Sequence, residues 1–450
     1  MKNVLATLCL ALLLTPAAGA ANADTAAEAR HVVLISVDGM GSDLLLHADE
    51  LGLKIPHMRR LMREGTLAEG ALSTVPSVTF TAHTTIITGV DPVRHGVVNN
   101  TIFDPGSVKG AGLFIFAEDV TARTLFDAAT AKGLDGAAVW WPVTGGAPIG
   151  FNLPDISASN LKEARTLLHL SSPAVREVIG TPDSLLGIGG ENDVQDGLRT
   201  KVAIAALDRK PHLLAVHFTE LDGAEHFHGP RSKEALEVLE KTDGYIGEIL
   251  NAVEKAGLQG STTVVVTSDH GFQPVEKAVR IGSLFANLGL IEMKDGRLVS
   301  WRAFPWSAGG SLAVYLAPGA PDGTTALVDQ VLGILTSRPD YGVHKVYRGA
   351  EMEKLRGYPG AYAILDAASG FTFSSRLEGP LLEPTDERGD HGQMPGRPGL
   401  AASLIVQGPG IKKGHRIGTV RLHDIAPTLA RILGLDLGQV DGRVLDEIFR

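Results

Sequence analysis

Three short segments pair an aspartate with a histidine at spacings that suit metal binding. Asp222 and His226 are four residues apart, which places both side chains on one face of a helical turn. Asp269 and His270 are adjacent in an Asp-His-Gly sequence, and a second Asp-His-Gly sequence contains His391. Zinc accepts imidazole nitrogen and carboxylate oxygen as ligands. The pattern therefore predicts a metal site, and other divalent ions could also suit such ligands.

The aspartates follow apolar runs, which places them where a parallel sheet binds its ligands. Asp38 follows the run VVLISV, Asp222 comes shortly after LLAVHF, and Asp269 follows TVVVTS. In open parallel sheets, ligands bind beyond the carboxyl ends of the strands. Asp38-Gly39 and Asp222-Gly223, taken singly, also fit ordinary turns. Several such residues after predicted strands, together with the histidines, favour a metal site over isolated turns.

The segment VPSVTFTAHTTIITG, residues 75–89, is unusually rich in hydroxyl groups. Its start at Pro76 and the apolar Ile86 and Ile87 near its end predict a chain that leaves a loop and enters a helix. Helix N-termini attract anions. The hydroxyls of this segment are those of Ser77, Thr79, Thr81, Thr84, Thr85 and Thr88.

Composition narrows the chemistry that is available to the chain. Its 450 residues are 44% hydrophobic and 20% charged, which is typical of a globular protein. Cys9 is the only cysteine, so a metal site beyond it must use histidine and carboxylate ligands. The formal net charge of −10 argues against a nucleic-acid polymer as a partner, but it is compatible with a small anionic substrate.

The N-terminal segment has the features of a signal peptide. Lys2 precedes an apolar run from Val4 to Leu14, and small residues follow up to Ala23. A run of about 11 residues is too short to span a bilayer, which requires roughly 20. We therefore expect residues 1–23 to be removed and the mature chain to be exported, periplasmic or secreted, without a membrane span.

The remaining chain alternates short apolar runs with amphipathic stretches. This rhythm predicts an α/β fold with a mainly parallel central sheet and helices on both faces. Between residues 281 and 385 the rhythm falters and Gly/Pro turns become frequent. We therefore expect a catalytic domain formed by residues 24–280 and 386–450, and a smaller inserted cap subdomain at 281–385.

Five segments, in order, resemble a known family. They are ISVDGM, PSVTFTAHTTIITGVDPVRHGVVNN, ELDGAEHFHGP, TSDHGF and GDHGQMP. This set is similar to the nucleotide pyrophosphatase/phosphodiesterase branch of the alkaline phosphatase superfamily. The resemblance covers nearly the whole mature chain, and it implies an alkaline-phosphatase-like fold with two zinc ions.

The resemblance also implies roles for individual residues. Asp222, His226 and His391 would bind one zinc ion, whereas the other would be bound by Asp38, Asp269, His270 and the oxygen of Thr79. Thr79 would be the nucleophile that forms a covalent phosphothreonine intermediate. Asn100 would donate a hydrogen bond to a phosphoryl oxygen. We expect the other hydroxyls of residues 75–89 to cap the helix or to bond to the backbone.

The sequence departs from the family pattern near the expected substrate pocket. Phe80 matches one side of the aromatic clamp that holds a nucleotide base, but His217 occupies a position that is often tyrosine. Both residues are expected to bind substrate, with weaker stacking at His217. In addition, Glu225 replaces the glycine that usually precedes the zinc-binding histidine.

The sequence therefore predicts a two-zinc phosphodiesterase that acts on a small phosphoester such as a nucleotide. One alternative is a phosphomonoesterase or phosphonate hydrolase of the same superfamily, because the metal site alone does not select the ester. A second alternative is a metal-stabilised binding protein without turnover. The retention of both Thr79 and Asn100 argues against it, since a binding protein would not need a nucleophile.

Overall fold

The computed structural model describes residues 30–106, 112–190 and 195–450. The predicted signal peptide, residues 1–23, lies outside these ranges. The described residues form twenty β-strands, numbered in chain order: β1 (His31–Val37), β2 (Thr66–Ala68), β3 (Ala71–Leu72), β4 (Gly136–Trp141), β5 (Phe151–Pro154), β6 (Leu213–Phe218), β7 (Thr262–Thr267), β8 (Gln273–Val279), β9 (Ile291–Lys294), β10 (Arg297–Trp301), β11 (Ala303–Ala308), β12 (Ser311–Leu316), β13 (Val343–Tyr347), β14 (Ala363–Ala367), β15 (Gly370–Phe373), β16 (Leu382–Pro384), β17 (Gly389–Asp390), β18 (Leu404–Gln407), β19 (His415–Ile417) and β20 (Val420–Arg421).

The same ranges contain fourteen α-helices, numbered in the same way: α1 (Ser42–Leu46), α2 (Pro56–Glu64), α3 (Thr79–Thr88), α4 (Pro92–His95), α5 (Leu125–Ala131), α6 (Leu161–Leu170), α7 (Pro173–Ile179), α8 (Asp196–Leu207), α9 (Glu220–His228), α10 (Lys233–Lys255), α11 (Ile281–Asn287), α12 (Thr324–Thr336), α13 (Gly349–Glu353) and α14 (Ile425–Leu433). None of the helices in these ranges combines the length and the apolar character that a membrane crossing requires.

An eight-stranded sheet forms the centre of the molecule, in the order β19-β2-β18-β7-β1-β6-β4-β5. β1 pairs in parallel with both β6 and β7, and β4 continues the parallel pairing through to β5. β18 runs antiparallel to both of its neighbours, β7 and β2. The sheet is therefore mainly parallel, as the sequence predicts.

Helices cover both faces of this sheet, and the alternation along β1 shows how the faces are divided. Val33 and Ile35 point into one core, which α2, α8 and α10 help to close. Val32 and Leu34 point into the other, which contains apolar residues of α3, α5 and α14. Because successive side chains of a strand point to opposite faces, a run of buried apolar residues such as β1 requires cover on both sides. The predicted fold class is confirmed.

Smaller sheets are built from the chain between residues 273 and 390. β11, β12, β14 and β13 form a four-stranded antiparallel sheet, and β9 and β10 form a hairpin. β8 pairs with β15, β16 and β17. A separate apolar core, from Val279 to Phe373, lies among these elements. The predicted insert at 281–385 covers most of them, although β8 and β17 fall outside its bounds.

Candidate active site

The carboxyl ends of three neighbouring strands bring the predicted aspartates together. β1 lies between β6 and β7 in the central sheet. Asp38 directly follows β1, Asp269 comes two residues after β7, and Asp222 lies in the first turn of α9, which begins after β6. The parallel register therefore assembles, at one edge of the sheet, residues that are far apart in the chain.

The first cluster consists of Asp222, His226 and His391, whose ligand atoms lie within 4.8 Å of one another. Asp222 Oδ1 is 3.6 Å from His226 Nε2 and 3.7 Å from His391 Nε2. The Nδ1 atoms of the two histidines face backbone carbonyls, those of Gly389 and Ser77 respectively. When Nδ1–H donates to a carbonyl, Nε2 is left to bind a metal ion.

The second cluster consists of Asp38, Asp269 and His270, all of them buried. His270 Nε2 is 3.3 Å from Asp38 Oδ1 and 3.1 Å from Asp269 Oδ2. The other oxygen of Asp269 accepts hydrogen bonds from Gly39 N and Ser268 Oγ. The two clusters are adjacent, because the rings of His270 and His391 stack with their centroids 3.6 Å apart.

The donor atoms of both clusters fit a metal ion. Ligands at about 2.0 Å in tetrahedral geometry are roughly 3.3 Å apart, close to the separations within each cluster. Asp38 Oδ1, Asp222 Oδ1, Asp269 Oδ2 and His270 Nε2 are buried and have no hydrogen-bond partner among the described residues. Buried polar atoms without a partner are costly unless a ligand satisfies them. The two clusters therefore have the composition and spacing of a pair of metal sites.

The charges within the clusters shift several pKa values. Burial raises the pKa of Asp38, and the neighbouring carboxylates of Asp269 and Asp222 raise it further. Burial alone would lower the pKa of His270, but Asp269 and Asp38 raise it to about 10. Burial and the charge of His270 lower the pKa of His391 to about 3. A divalent cation would take the place of these protons, because it requires deprotonated carboxylates and neutral imidazoles.

Thr79 is the first residue of α3, and contacts with His391 and Asn100 hold the start of this helix in place. His391 Nδ1 contacts the carbonyl of Ser77 at 2.9 Å, two residues before Thr79. The backbone N–H of Phe80 donates to Asn100 Oδ1 at 2.8 Å. With Oδ1 occupied in this way, the Nδ2 group of Asn100 is the part that can donate to a ligand. The helix N-terminus adds further attraction for an anion.

The remaining hydroxyls of residues 75–89 divide into two groups. Thr84 and Thr88 donate to the carbonyls four residues earlier, and Thr85 donates to Val90 O. The prediction of backbone bonding is confirmed for these three. It is wrong for Ser77 and Thr81, whose buried hydroxyl oxygens have no hydrogen-bond partner in the described part of the chain.

Comparison with known proteins agrees with the geometry. The family described as type I phosphodiesterase/nucleotide pyrophosphatase matches residues 32–357. The chain belongs to this family. Its members are hydrolytic enzymes, and the chain is accordingly a metal-dependent phosphoric diester hydrolase, as the sequence motifs predict.

Individual relatives are distant in sequence. Mouse bis(5′-adenosyl)-triphosphatase is 23% identical, over 91% of this chain and 78% of the relative. Human ectonucleotide pyrophosphatase/phosphodiesterase family member 1 is 25% identical, over 55% of this chain and 24% of the relative. Among solved structures, inactive murine ectonucleotide pyrophosphatase/phosphodiesterase 5 in complex with AMP has a TM-score of 0.68 at 18% identity, and the match covers 94% of this chain and all of that one. The structural likeness supports the alkaline-phosphatase-like fold.

His217 lies behind the second cluster and not at the surface, where a substrate base could stack on it. The ring is fully buried, and its Nε2 is 3.1 Å from Asp38 Oδ2. A ring without exposed surface cannot stack on a substrate base, so the expectation of a substrate contact is corrected. The strand β6 directs this side chain towards the second cluster rather than into the cleft.

Phe80, the other expected member of the clamp, is largely covered by apolar neighbours. Its side chain is 8% exposed and packs with Val97 and Val143, and Phe114 and Ile115 lie against the same group. This packing leaves only a small part of Phe80 exposed. Substrate binding by Phe80 stays a prediction.

Two buried residues beside the clusters were not predicted to act there. His83 Nδ1–H donates to the carbonyl oxygen of Thr79, and its Nε2 contacts Ser36 Oγ. The same Nδ1 is 3.6 Å from Asp269 Oδ2. Its spacing of four residues from Thr79 on α3 could have indicated this position. Glu225 is also buried, and burial together with Asp222 raises its pKa. The sequence shows only that Glu225 replaces a glycine, so its orientation could not have been predicted.

Proposed function

We propose that this chain is a two-zinc phosphodiesterase that acts on nucleotide-like phosphoesters through a covalent phosphothreonine at Thr79. The observation that carries the proposal is the junction between the clusters and α3. His391 of the first cluster contacts Ser77 O, and Asn100 binds the backbone of Phe80. Thr79 lies between these two contacts in the chain.

The two clusters would hold the ions in the division that the resemblance implies. Asp222, His226 and His391 would bind one, and Asp38, Asp269, His270 and the Thr79 oxygen would bind the other. Bound zinc would polarise the phosphoryl group and favour ionisation of a nearby hydroxyl. A threonine hydroxyl is a poor nucleophile at neutral pH without such help.

The chain's own groups would then perform two displacement steps. In the first, the Thr79 oxygen forms a bond to phosphorus while the bond to the leaving alcohol or phosphate breaks. In the second, water cleaves the phosphothreonine, which restores the hydroxyl and releases a phosphate monoester. The Asn100 amide and the N-terminus of α3 would stabilise the negative charge that develops on the phosphoryl oxygens.

The names of related proteins support a nucleotide-like substrate and an essential threonine. The mouse relative is a bis(5′-adenosyl)-triphosphatase, and the murine structure is that of an inactive threonine-to-alanine variant with bound AMP. Neither identifies the substrate of this chain. The burial of His217 removes the second aromatic face expected of a base clamp, so we propose only a weak preference among bases.

The charge near Thr79 supports diesters over monoesters. A monoester brings two negative charges, and monoesterases of the superfamily commonly place an arginine close to the nucleophile. The nearest arginine after Thr79 is Arg94, which is engaged with Asp441 at 2.8 Å and with Gln439 O. It is therefore not free to bind a phosphoryl group at Thr79.

A substrate panel and one variant test this function. Purified protein is assayed against a nitrophenyl diester, a nitrophenyl monoester, a nucleotide phosphodiester and a phosphonate, and acid-quenched protein is analysed by mass spectrometry. We expect diester turnover, a phosphate adduct on Thr79, and a loss of roughly 10³-fold or more in kcat for Thr79→Ala. Near-normal diester turnover in that variant would refute the nucleophile. Preference for a monoester or phosphonate would favour the alternative hydrolase, and metal binding without turnover of any of the four substrates would contradict the proposed function.

We also retain two proposals about the chain's organisation. Residues 1–23 would be a signal peptide that directs export to the periplasm or the medium, and mass determination of the mature N-terminus after expression tests this. Residues 24–280 and 386–450 would form the catalytic domain, with 281–385 as a cap. The separate apolar core from Val279 to Phe373 supports that division.

A further inference from the structure

We propose that His217 is a positioning residue that fixes the metal ligand Asp38, an inference that rests on the two-metal function proposed above. His217 is fully buried on β6, opposite Ser36 of β1 in the parallel register. Its Nε2 is 3.1 Å from Asp38 Oδ2. The side chain thus reaches across the strand end to the aspartate that follows β1.

Because of this contact, the two carboxylate oxygens of Asp38 have different roles. Oδ2 accepts the hydrogen bond from His217 Nε2–H. Oδ1 has no hydrogen-bond partner among the described residues and lies 3.3 Å from His270 Nε2, at the centre of the second cluster. A carboxylate held at one oxygen presents the other to an ion in a fixed direction. His217 therefore sets the orientation in which Asp38 meets the metal.

The imidazole ring is itself held from several sides. Its Nδ1 is 3.1 Å from the carbonyl oxygen of Trp140 and 3.6 Å from Asp155 Oδ2. The ring of His83 packs against it with the centroids 4.1 Å apart. Because both ring nitrogens face oxygen acceptors, rotation of the ring would break contacts on both sides. A buried ring fixed in this way holds the Asp38 carboxylate in one orientation.

The backbone at Trp140 is shaped to make one of these contacts. The pairing of β4 with β5 shifts register between Val139 and Trp141, and Trp140 has a φ of 58°. This left-handed conformation is unfavourable for a residue other than glycine. Trp140 is fully buried, and the guanidinium of Arg199 lies 4.6 Å above its ring. Bulges of this kind redirect backbone groups near active sites, and here the carbonyl is directed at His217.

The same placement bears on substrate choice. In the family pattern, this position is often a tyrosine that contributes to the base clamp, whereas His217 has no exposed surface. One side chain cannot both support Asp38 from behind and stack on a ligand in the cleft. His217 therefore supports the second cluster and leaves the site without the stacking face that the resemblance implies.

The test measures zinc binding rather than activity. Full-length mature protein is freed of metal and titrated with zinc in zinc-buffered solution, and the affinities of the two sites are compared in wild type, His217→Phe and His217→Gln. Loss of a hydrogen bond to a metal ligand typically weakens binding 10- to 100-fold. We expect that loss at one of the two sites in His217→Phe, little change at the other, and partial recovery in His217→Gln, whose amide can still donate.

His95→Phe is a matched control, because His95 is also fully buried but bonds to Thr85 and not to a cluster residue. It should keep both zinc affinities. Asp155→Asn provides a second variant in case His217→Phe does not fold, and it should weaken the same single site by a smaller factor. Wild-type affinity at both sites in folded His217→Phe, or in Asp155→Asn if His217→Phe does not fold, would overturn the inference alone. A wild-type chain that binds fewer than two zinc ions would instead contradict the proposed function, and this inference with it.

Discussion

At the scale of single residues, the first cluster depends on ligands from two distant segments. Asp222 and His226 come from α9, whereas His391 follows β17 and is also tied to Ser77 O. We expect His391→Ala to lower the zinc content from two ions per chain to about one, because two ligands from one helix cannot close a tetrahedral site. Metal analysis after dialysis measures the change.

His228→Ala serves as the control for that variant. His228 is exposed at the end of α9, two residues beyond His226, and belongs to neither cluster. Its replacement should leave two zinc ions bound. Equal zinc contents in the His391 and His228 variants would contradict the assignment of His391 as a ligand.

Residue types and spacing predicted a metal site, and the resemblance to the family implied its division into two ligand sets, because the ligands are carried by short segments with strong chemical constraints. The orientation of His217 was not predictable in the same way. It depends on the register between β1 and β6 and on the bulge at Trp140, which bring Asp38 and a carbonyl to the two sides of the ring. Such long-range contacts leave no periodic signal in the sequence.

At the scale of elements, α3 offers a matched pair of buried hydroxyls. Thr84 Oγ1 donates to Phe80 O at 2.7 Å, whereas Thr81 Oγ1 has no partner in the described part of the chain. Thr84→Val should reduce the free energy of unfolding by about 1 kcal/mol, the usual net value of a hydrogen bond. Thr81→Val should leave it unchanged or raise it, because an unsatisfied buried hydroxyl is removed.

Urea denaturation of the two metal-free variants, compared with wild type, measures both effects. The substitutions are chemically identical and lie three residues apart on one helix, so differences in helix propensity cancel. A larger loss for Thr81→Val than for Thr84→Val would show that the hydrogen-bond assignment on α3 is incorrect.

The central elements were predictable because buried parallel strands and amphipathic helices have distinct periodicities. The run VVLISV lies within β1, LLAVHF coincides with β6, and TVVVTS lies in β7 except for its last residue. The antiparallel course of β18 was not predicted. Strand direction within a sheet is decided by the connections before it, and a four-residue apolar strand has the same pattern in either direction.

At the scale of the whole molecule, Asp91 joins three parts of the chain that are distant in sequence. It precedes α4, and its carboxylate contacts Arg356 Nε at 3.0 Å and His423 Nε2 at 3.0 Å. Arg356 belongs to the predicted cap, and His423 lies just before α14. One side chain, 15% exposed, therefore links the α3–α4 region, the insert and the C-terminal segment.

This junction predicts a pH-dependent contribution to stability. Burial alone would raise the pKa of Asp91, but the contacts with His423 and Arg356 lower it from 3.8 to about 2. A carboxyl whose pKa is lowered by folding stabilises the folded state above its unfolded pKa. The contribution should be complete above pH 4, amount to at most about 2 kcal/mol, and disappear as the pH falls from about 4 to 2. We expect Asp91→Asn to be less stable than wild type at pH 7 by this amount, and the difference to shrink across that interval. Urea denaturation of metal-free protein at several pH values measures it.

Asp49→Asn is the control for this prediction. The Asp49 side chain is 90% exposed and pairs with Arg59, so the variant should differ little from wild type at any pH. A difference for Asp91→Asn that stayed constant from pH 7 to pH 2 would mean that its charge does not stabilise the junction.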